Sequence, residues 1–199
     1  MPPTEPSNPH KALRSCLGHF ATGVTVVTCR TGTARHGATV NAFTAVSLDP
    51  PLVLVALDRR SKASEYLAGA PFAVNVLAAD AATTALHFAG RAQTGLEPAW
   101  IDEGLAPRLG GASAWLVCTP WAGYDGGDHV LFVGQVREFG VGPAEPLLFH
   151  RGRFRRPGEH LDLAAPVAVG LADTAPWLES LDCPAATGWF GGLPVLSTY

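Results

Sequence analysis

The strongest constraint on the fold is the stretch Gly37–Leu57, in which two β-rich runs flank a pair of prolines. Ala38–Leu48 mixes β-branched, aromatic and small polar side chains, whereas Leu52–Leu57 is continuously apolar, as in a strand buried on both faces. Pro50 and Pro51 have no N–H to donate to a β-ladder, so the sheet must turn there. The stretch therefore predicts two strands joined by a sharp corner.

Polar residues interrupt the first of these runs at Thr39, Asn41, Thr44 and Ser47. A polar group at a buried position needs a hydrogen-bond partner. The commoner partner is neighbouring backbone, and the alternative is a ligand whose edge offers several donors and acceptors. The residues alone leave both interpretations open.

The remaining pattern predicts many strands and few helices. Asn8 is expected to cap a helix that begins at Pro9 and ends at Thr22-Gly23, with Leu13, Leu17 and Phe20 on its apolar face. A short helix is expected from Ser61 or Lys62 to Leu67, and another over Ala81–Ala89, capped by Asp80. Strands are predicted at Val24–Cys29, Phe72–Leu77, Ala114–Trp121, His129–Val141, Leu147–His150 and Arg153–Arg155, with loops at Arg30–His36, Arg91–Gly111 and Ala122–Asp128. A Rossmann domain is not indicated, since no βαβ rhythm appears and no Gly-x-Gly-x-x-Gly follows a strand. A closed or split antiparallel barrel fits this pattern.

Bulk properties exclude several classes of protein. With 199 residues, one globular domain is the default, and a formal net charge of -3 argues against a nucleic-acid partner. No apolar run approaches the length of a membrane span, and the Pro-rich start lacks the apolar core of a signal peptide. The four cysteines are scattered, without Cys-x-x-Cys or a zinc-type histidine pair. We therefore expect reduced thiols, no metal site and a cytoplasmic location.

A second candidate site is the segment Gly126-Gly127-Asp128-His129, which leads directly into a predicted strand. The glycines free the backbone just before the strand, and His129 would then stand at the rim of a barrel. An imidazole there can bind a ligand or move a proton near neutral pH. The simpler interpretation is a hydrogen-bonded loop histidine.

Several segments in the same order resemble one family, the short-chain flavin reductases, which are the reductase components of two-component flavin monooxygenases. The resemblance rests on Thr39–Phe43, Val46–Leu48 with the proline pair, His87–Gly90, Gly126–Val136 and His150–Phe154. It covers about residues 12–156, and it departs from the family where His87 stands in place of the more usual Arg or Asn.

The resemblance implies a mainly β fold, a split antiparallel Greek-key barrel of the FMN-binding type. We expect the domain to cover residues 10–158 and to be preceded by a flexible N-terminal arm (1–9). The resemblance also implies a homodimer with flavin near the subunit interface. The extension over residues 159–199 lies beyond the resemblance, and its aromatic content suggests that it packs on the domain or on the partner subunit.

The resemblance also implies a set of site residues. FAD or FMN would lie against Thr39, Val40, Asn41, Ala42 and Ser47, with its phosphate near Ser61, Lys62, Ser64, His87, Phe88 and Ala89. His129 would be catalytic and would place NADH or NADPH, with Asp128 beside it and Phe154 near the nicotinamide. An ordinary helix cap around Ser61 and core packing of Phe88 and Phe154 are the structural alternatives. For Asn75, a structural hydrogen bond inside the barrel and a flavin contact both stay open.

The expected function is an NAD(P)H:flavin oxidoreductase that supplies reduced flavin to a partner monooxygenase. Two alternatives stay open: a split-barrel flavoprotein that retains its flavin and acts on an organic substrate, and a flavin-binding protein without catalysis. The cofactors carry the hydride chemistry in the first two cases, and the protein supplies their relative position.

Overall fold

The computed structural model describes residues 8–159, so most of the expected arm (1–9) and nearly all of the C-terminal extension (159–199) lie outside the described residues. The helices are α1 (Pro9–Leu17), α2 (Lys62–Leu67) and α3 (Ala82–Phe88). The strands are β1 (Thr22–Gly23), β2 (Thr25–Thr31), β3 (Ala34–Val40), β4 (Phe43–Leu48), β5 (Pro51–Asp58), β6 (Phe72–Val76), β7 (Trp100–Ile101), β8 (Arg108–Leu109), β9 (Ala114–Gly126), β10 (His129–Val141), β11 (Leu148–His150) and β12 (Arg153–Arg155). The mainly β fold with few helices is confirmed.

The main sheet has seven antiparallel strands in the order β3-β2-β6-β9-β10-β5-β4. Its two edges, β3 and β4, follow each other in the chain and are joined only by Asn41 and Ala42. Three Cα steps span at most about 11 Å, so the sheet must curl until its edges nearly meet. Ala56 N donates to Ala42 O at 3.0 Å, which continues the β4–β5 ladder up to this linker. The result is the antiparallel barrel that the sequence predicted.

The barrel core is built from alternate residues of neighbouring strands. On β5, Val53, Val55 and Leu57 are buried, while Leu52, Leu54 and Ala56 between them are only half-buried. The continuous apolar run therefore has one core face and one partly covered face, which corrects the expectation of burial on both. Val27 from β2, Phe72 and Val74 from β6, and Cys118 from β9 complete the same core.

The helices are capped largely as their sequences indicate. Asn8 Oδ1 accepts from Lys11 N at 3.1 Å, and Ser61 Oγ accepts from Ser64 N at 3.1 Å. The first helix, however, ends at Leu17, and Thr22-Gly23 instead forms β1 against β11. The proposed Asp80 cap is also wrong, because the N-cap of α3 is Ala81 and carries no side-chain hydrogen bond.

Two predicted hairpin loops are shorter than expected, because cross-strand pairing extends the strands through them. Thr31 pairs with Ala34, so only residues 32 and 33 turn between β2 and β3. Gly126 pairs with His129, so β9 runs almost to the end of the predicted loop. The expected long loop Arg91–Gly111 contains the short β7–β8 ribbon.

Asn75 on β6 anchors that loop to the sheet. Its Oδ1 accepts from Leu109 N at 2.7 Å, and its Nδ2 donates to Val26 O at 2.8 Å. Of the two interpretations of this buried amide, the structure shows the structural hydrogen bonds. A search of the described helices finds none whose length and apolarity would let it cross a membrane.

Candidate functional site

The junction between β3 and β4 opens onto two cavities. A large cavity of about 850 Å³ is lined by Asn41–Thr44, Leu54, Phe149 and, from the N-terminal segment, Leu17 and Phe20. A middle cavity of about 360 Å³ is lined by Thr39, Asn41, Ala89, Arg91, Phe149 and Phe154. Asn41, Phe149 and Gly152 line both, so the exposed junction is the place where the two cavities meet.

The polar residues of this junction have different environments. Thr39 Oγ1 donates to Ala85 O at 2.6 Å, which ties β3 to α3 and matches the expected backbone partner. The side chain of Val40 is buried in the core, so only its backbone can face a ligand. Ser47 is half-buried on β4 and lines neither the large nor the middle cavity.

Phe154 and Ala89, which lie far apart in sequence, meet at the middle cavity. Phe154 packs edge-to-face on Phe149, with ring centroids 5.7 Å apart, and both rings also contact the buried cluster around Val24. Core packing and exposure to a cavity therefore occur together at Phe154.

A third cavity of about 410 Å³, here called the cationic cavity, lies where α2 begins and α3 ends over β3. It is lined by Arg35, His36, Gly37, Ala38, Ser61, Lys62, Ala63, His87, Phe88 and Gly90. The structure thus brings the predicted Ser61 and Lys62 together with the predicted His87 and Phe88. Ser64 is buried and does not line it.

The lining of the cationic cavity carries basic groups and no carboxylate. His36 packs edge-to-face on Tyr66 at 5.0 Å, and its burial, together with the nearby Lys62 ammonium, holds the pKa of His36 below its ordinary value. His87 Nδ1 accepts from Gln93 N at 3.2 Å. Such a surface attracts an anion.

Arg35, His36, Arg91 and Phe149 line these cavities and were missed by the sequence reasoning. Arg35 and His36 were assigned to a hairpin loop, although they belong to the same strand as Thr39. Period-two alternation places residues 35, 37 and 39 on one face of that strand. This alternation could have identified Arg35 as a residue on the same face of the strand as Thr39.

His129 lies at the start of β10, where it pairs with Asp58 at the end of β5. Its Nδ1 is 2.7 Å from Asp128 Oδ1, and this hydrogen bond holds the pKa of Asp128 below its ordinary value. Arg59 fixes the turn, since its N donates to Asp128 O at 3.0 Å and its Nη2 to Asp125 Oδ2 at 2.7 Å. The histidine is thus held, while its side chain stays 42% exposed.

The structure does not bring His129 into the three cavities. Ala42 meets one edge of β5 through Ala56, and His129 meets the other edge beside Asp58, so this strand lies between the two sites. None of the three cavities joins these two places. Within the same range, no group of three or more His, Cys, Asp or Glu side chains could hold a metal ion.

Comparison with known proteins relates this arrangement to a family. The model of the flavin reductase like domain matches residues 17–158. An NADH-dependent flavin reductase of a Rhodococcus species is 42% identical over 147 residues, which cover 72% of this chain and 84% of that protein. The reductase component of 4-hydroxyphenylacetate 3-monooxygenase from Thermus thermophilus is 40% identical over 148 residues, covering 73% of this chain and 95% of that protein.

A solved structure shows the same similarity in three dimensions. It is an NADH:FAD oxidoreductase of Streptomyces globisporus in complex with NAD and FAD fragments, 38% identical to this chain. The superposition has a TM-score of 0.70 and covers 80% of this chain and 100% of the other. With the domain match spanning most of the barrel, this chain belongs to the flavin reductase-like family.

Proposed function

We propose that this chain is an NADH-dependent flavin reductase, which transfers hydride from NADH to FAD or FMN and supplies the reduced flavin to a separate monooxygenase. The names of its relatives, an NADH-dependent flavin reductase and a monooxygenase reductase component, support this function. The single observation that carries it is the row of cavities along β3, which exposes Asn41 at one end and the cationic cavity at the other.

The residues present fit a flavin. Phe43, Leu54 and Phe149 give the large cavity apolar walls of the kind that hold an aromatic ring system. The amide of Asn41 offers both a donor and an acceptor to its polar edge, and Ser61, Lys62 and His87 offer donors to a phosphate. When bound, the flavin accepts the hydride, and the residues of this chain hold it and the nicotinamide in position.

His129 is proposed to place the nicotinamide. Its ring is oriented by Asp128 and its turn is fixed by Arg59, so it presents a held imidazole at the barrel rim. Because β5 separates His129 from Asn41 within one chain, the proposal includes a second subunit that completes the site.

A homodimer is supported by the exposed apolar side chains beside the large cavity. Leu17 is 63% exposed and Phe20 is 78% exposed, although both line that cavity. Light scattering on the purified protein is expected to give twice the monomer mass, and Phe20→Glu is expected to shift it towards the monomer. A monomeric wild-type protein with full activity would contradict the shared site.

The thiols support a reducing location, the cytoplasm. Cys16, Cys29 and Cys118 are free in the described part of the chain. Burial raises the pKa of Cys29 to about 11 and that of Cys118 to about 12, so both stay protonated and unreactive at neutral pH. Fractionation of the cells that express the protein tests this location.

An anaerobic stopped-flow experiment tests the activity directly. The oxidised flavin absorbance is followed after mixing the protein and FAD or FMN with NADH, and NADPH serves as the comparison. We expect NADH to bleach the flavin absorbance rapidly. When a flavin-dependent oxygenase and air are then supplied, we expect the oxygenase to form its product faster than it does without the reductase. Absence of bleaching with every flavin and nicotinamide pair would remove the reductase function.

The role of His129 has a separate test. His129→Ala is expected to lower the rate of hydride transfer at least about tenfold, because a misplaced reactant loses much of the advantage of proximity, while flavin affinity changes little. His10→Ala, in the exposed first turn of α1, is the matched control. An unchanged rate in His129→Ala, or an equal loss in the control, would contradict the placement role.

A further inference from the structure

The cationic cavity holds a further basic group, Arg35, besides Ser61, Lys62 and His87, the residues proposed to bind the first phosphate. Asn41, where the ring edge is proposed to bind, and Arg35, the first cavity residue on the strand, are separated by six residues. At about 3.3 Å per residue, this corresponds to about 20 Å of strand. Thr39 lines the middle cavity and residues 35–38 line the cationic cavity, so cavities accompany the strand over this length.

Arg35 is held in place at the far end of this stretch of β3. Its Nη1 lies 3.0 Å from Asp102 Oδ2, and its guanidinium carbon lies 5.1 Å from the centroid of the Trp100 ring. Trp100 in turn packs edge-to-face on Phe88, with centroids 5.7 Å apart, and Phe88 lines the cavity. Asp102 and Trp100 therefore orient the planar guanidinium of Arg35, which lines the cavity from β3.

Gly37 allows this arrangement. A Cβ at residue 37 would lie 2.7 Å from two atoms of the Phe88 ring, closer than side-chain contacts permit. Because Gly37 has no side chain, the Phe88 ring can approach β3 closely and pack on Trp100, which in turn contacts Arg35. The far end of the cavity is thus a built feature of the strand, the helix and the loop together.

Charge alone does not distinguish the possible ligands, since FMN and FAD both carry anionic phosphate. Reach and shape do distinguish them. FAD continues past its first phosphate into a second phosphate and a flat adenosine group, and a guanidinium both pairs with phosphate and stacks on planar rings. FMN ends at its single phosphate, for which Ser61, Lys62 and His87 already offer donors, so it brings no second group for Arg35.

We propose that Arg35 binds the adenosine diphosphate half of FAD in the cationic cavity and makes the enzyme select FAD over FMN. This inference rests on the proposed function, because it concerns the flavin of the same reaction. Asp102 acts as a positioning residue for Arg35.

The test is equilibrium binding of FAD and FMN, followed by flavin fluorescence at constant ionic strength without NADH. Wild-type protein is expected to bind FAD at least about tenfold more tightly than FMN, and Arg35→Ala is expected to remove most of that ratio by weakening FAD alone. Arg35→Lys keeps the charge but loses the planar stack, so it is expected to restore only part of the preference.

Arg30→Ala is the matched control, since Arg30 also pairs with Asp102, at 3.4 Å, and its side chain has the same 41% exposure, but it does not line the cavity. Equal weakening of FAD in Arg30→Ala and Arg35→Ala would overturn the inference. So would equal weakening of FAD and FMN in Arg35→Ala, or a wild-type protein without preference. Failure of both flavins to be reduced by NADH would instead overturn the proposed function, and the binding ratios would still decide the role of Arg35.

Discussion

Replacing Asn75 by alanine should destabilise the barrel strongly, because one buried side chain links three parts of the chain. Asn75 lies on β6 with no exposed surface. Its Nδ2 donates to Val26 O at 2.8 Å and to Thr28 Oγ1 at 3.1 Å, both on β2. Its Oδ1 accepts from Leu109 N at 2.7 Å, which fixes the β7–β8 loop.

The magnitude follows from what Asn75→Ala leaves behind. Leu109 is 3% exposed, and a buried N–H without a partner costs about 1–3 kcal/mol. The two lost donor contacts contribute about 0.5–1.5 kcal/mol each, and the truncated side chain leaves a small void. We therefore expect the free energy of unfolding to fall by about 3–5 kcal/mol, and the melting temperature by about 10 °C.

Urea unfolding measures this loss from the midpoint, provided that the slope with denaturant stays constant. Thr44→Val is the matched control, since it also removes a polar group from a strand, but at an exposed position where about 0.5 kcal/mol or less is expected. Amide exchange gives a second readout, and the Leu109 N–H should exchange faster in Asn75→Ala. A loss below about 1 kcal/mol, with unchanged protection of Leu109, would refute the reasoning.

Three further predictions concern packing, acid stability and the C-terminal extension. Gly134→Ala should lower the free energy of unfolding by about 1–3 kcal/mol, because the added Cβ would lie 2.5 Å from Phe72 Cζ in the core. In the control Gly123→Ala the added Cβ meets nothing within 4 Å, so the loss should be smaller. Equal losses of unfolding free energy in the two variants, measured by denaturant unfolding, would contradict this. Hydrogen bonds from Arg60 lower the pKa of Asp58 from 3.8 to about 2. The ionised Asp58 therefore stabilises the folded state above about pH 3.8, and this contribution is lost as the pH falls towards 2. Asp58→Asn should flatten the dependence of the unfolding free energy on pH in that window, and an unchanged slope would be the contrary result. Truncation after Gly158 should weaken the dimer or change the kinetics if the extension packs on the domain or its partner, and an unaltered dimer with wild-type rates would show that it does not.

Local signals predicted much of the fold. The Asn8 and Ser61 caps and the proline corner before β5 depend on backbone chemistry within a few residues. The strand ends could not be predicted in this way. Glycine-rich residues 122–126 have poor strand propensity, yet β9 continues through them because β10 supplies hydrogen-bond partners along its whole length.

The candidate site was predicted in parts rather than as a whole. The resemblance already places Ser61 and His87 near one phosphate, and the folded barrel brings both into one cavity without Ser64 and Ala89. Arg35 carried no motif of its own, and its orientation depends on Asp102 and Trp100 from a loop distant in sequence. Contacts of this kind follow from tertiary packing, which a linear pattern does not encode.

The position of the site follows from the way in which the barrel closes. Only Asn41 and Ala42 join the two sheet edges. Ala42 continues the β4–β5 ladder, since its carbonyl accepts a hydrogen bond from Ala56 N. The side chain of Asn41 is left outside the core, where it lines both the large and the middle cavity. A longer linker would let the edges separate and would let Asn41 turn away. The junction that completes the fold therefore also creates the exposed polar edge on which flavin binding is proposed to depend.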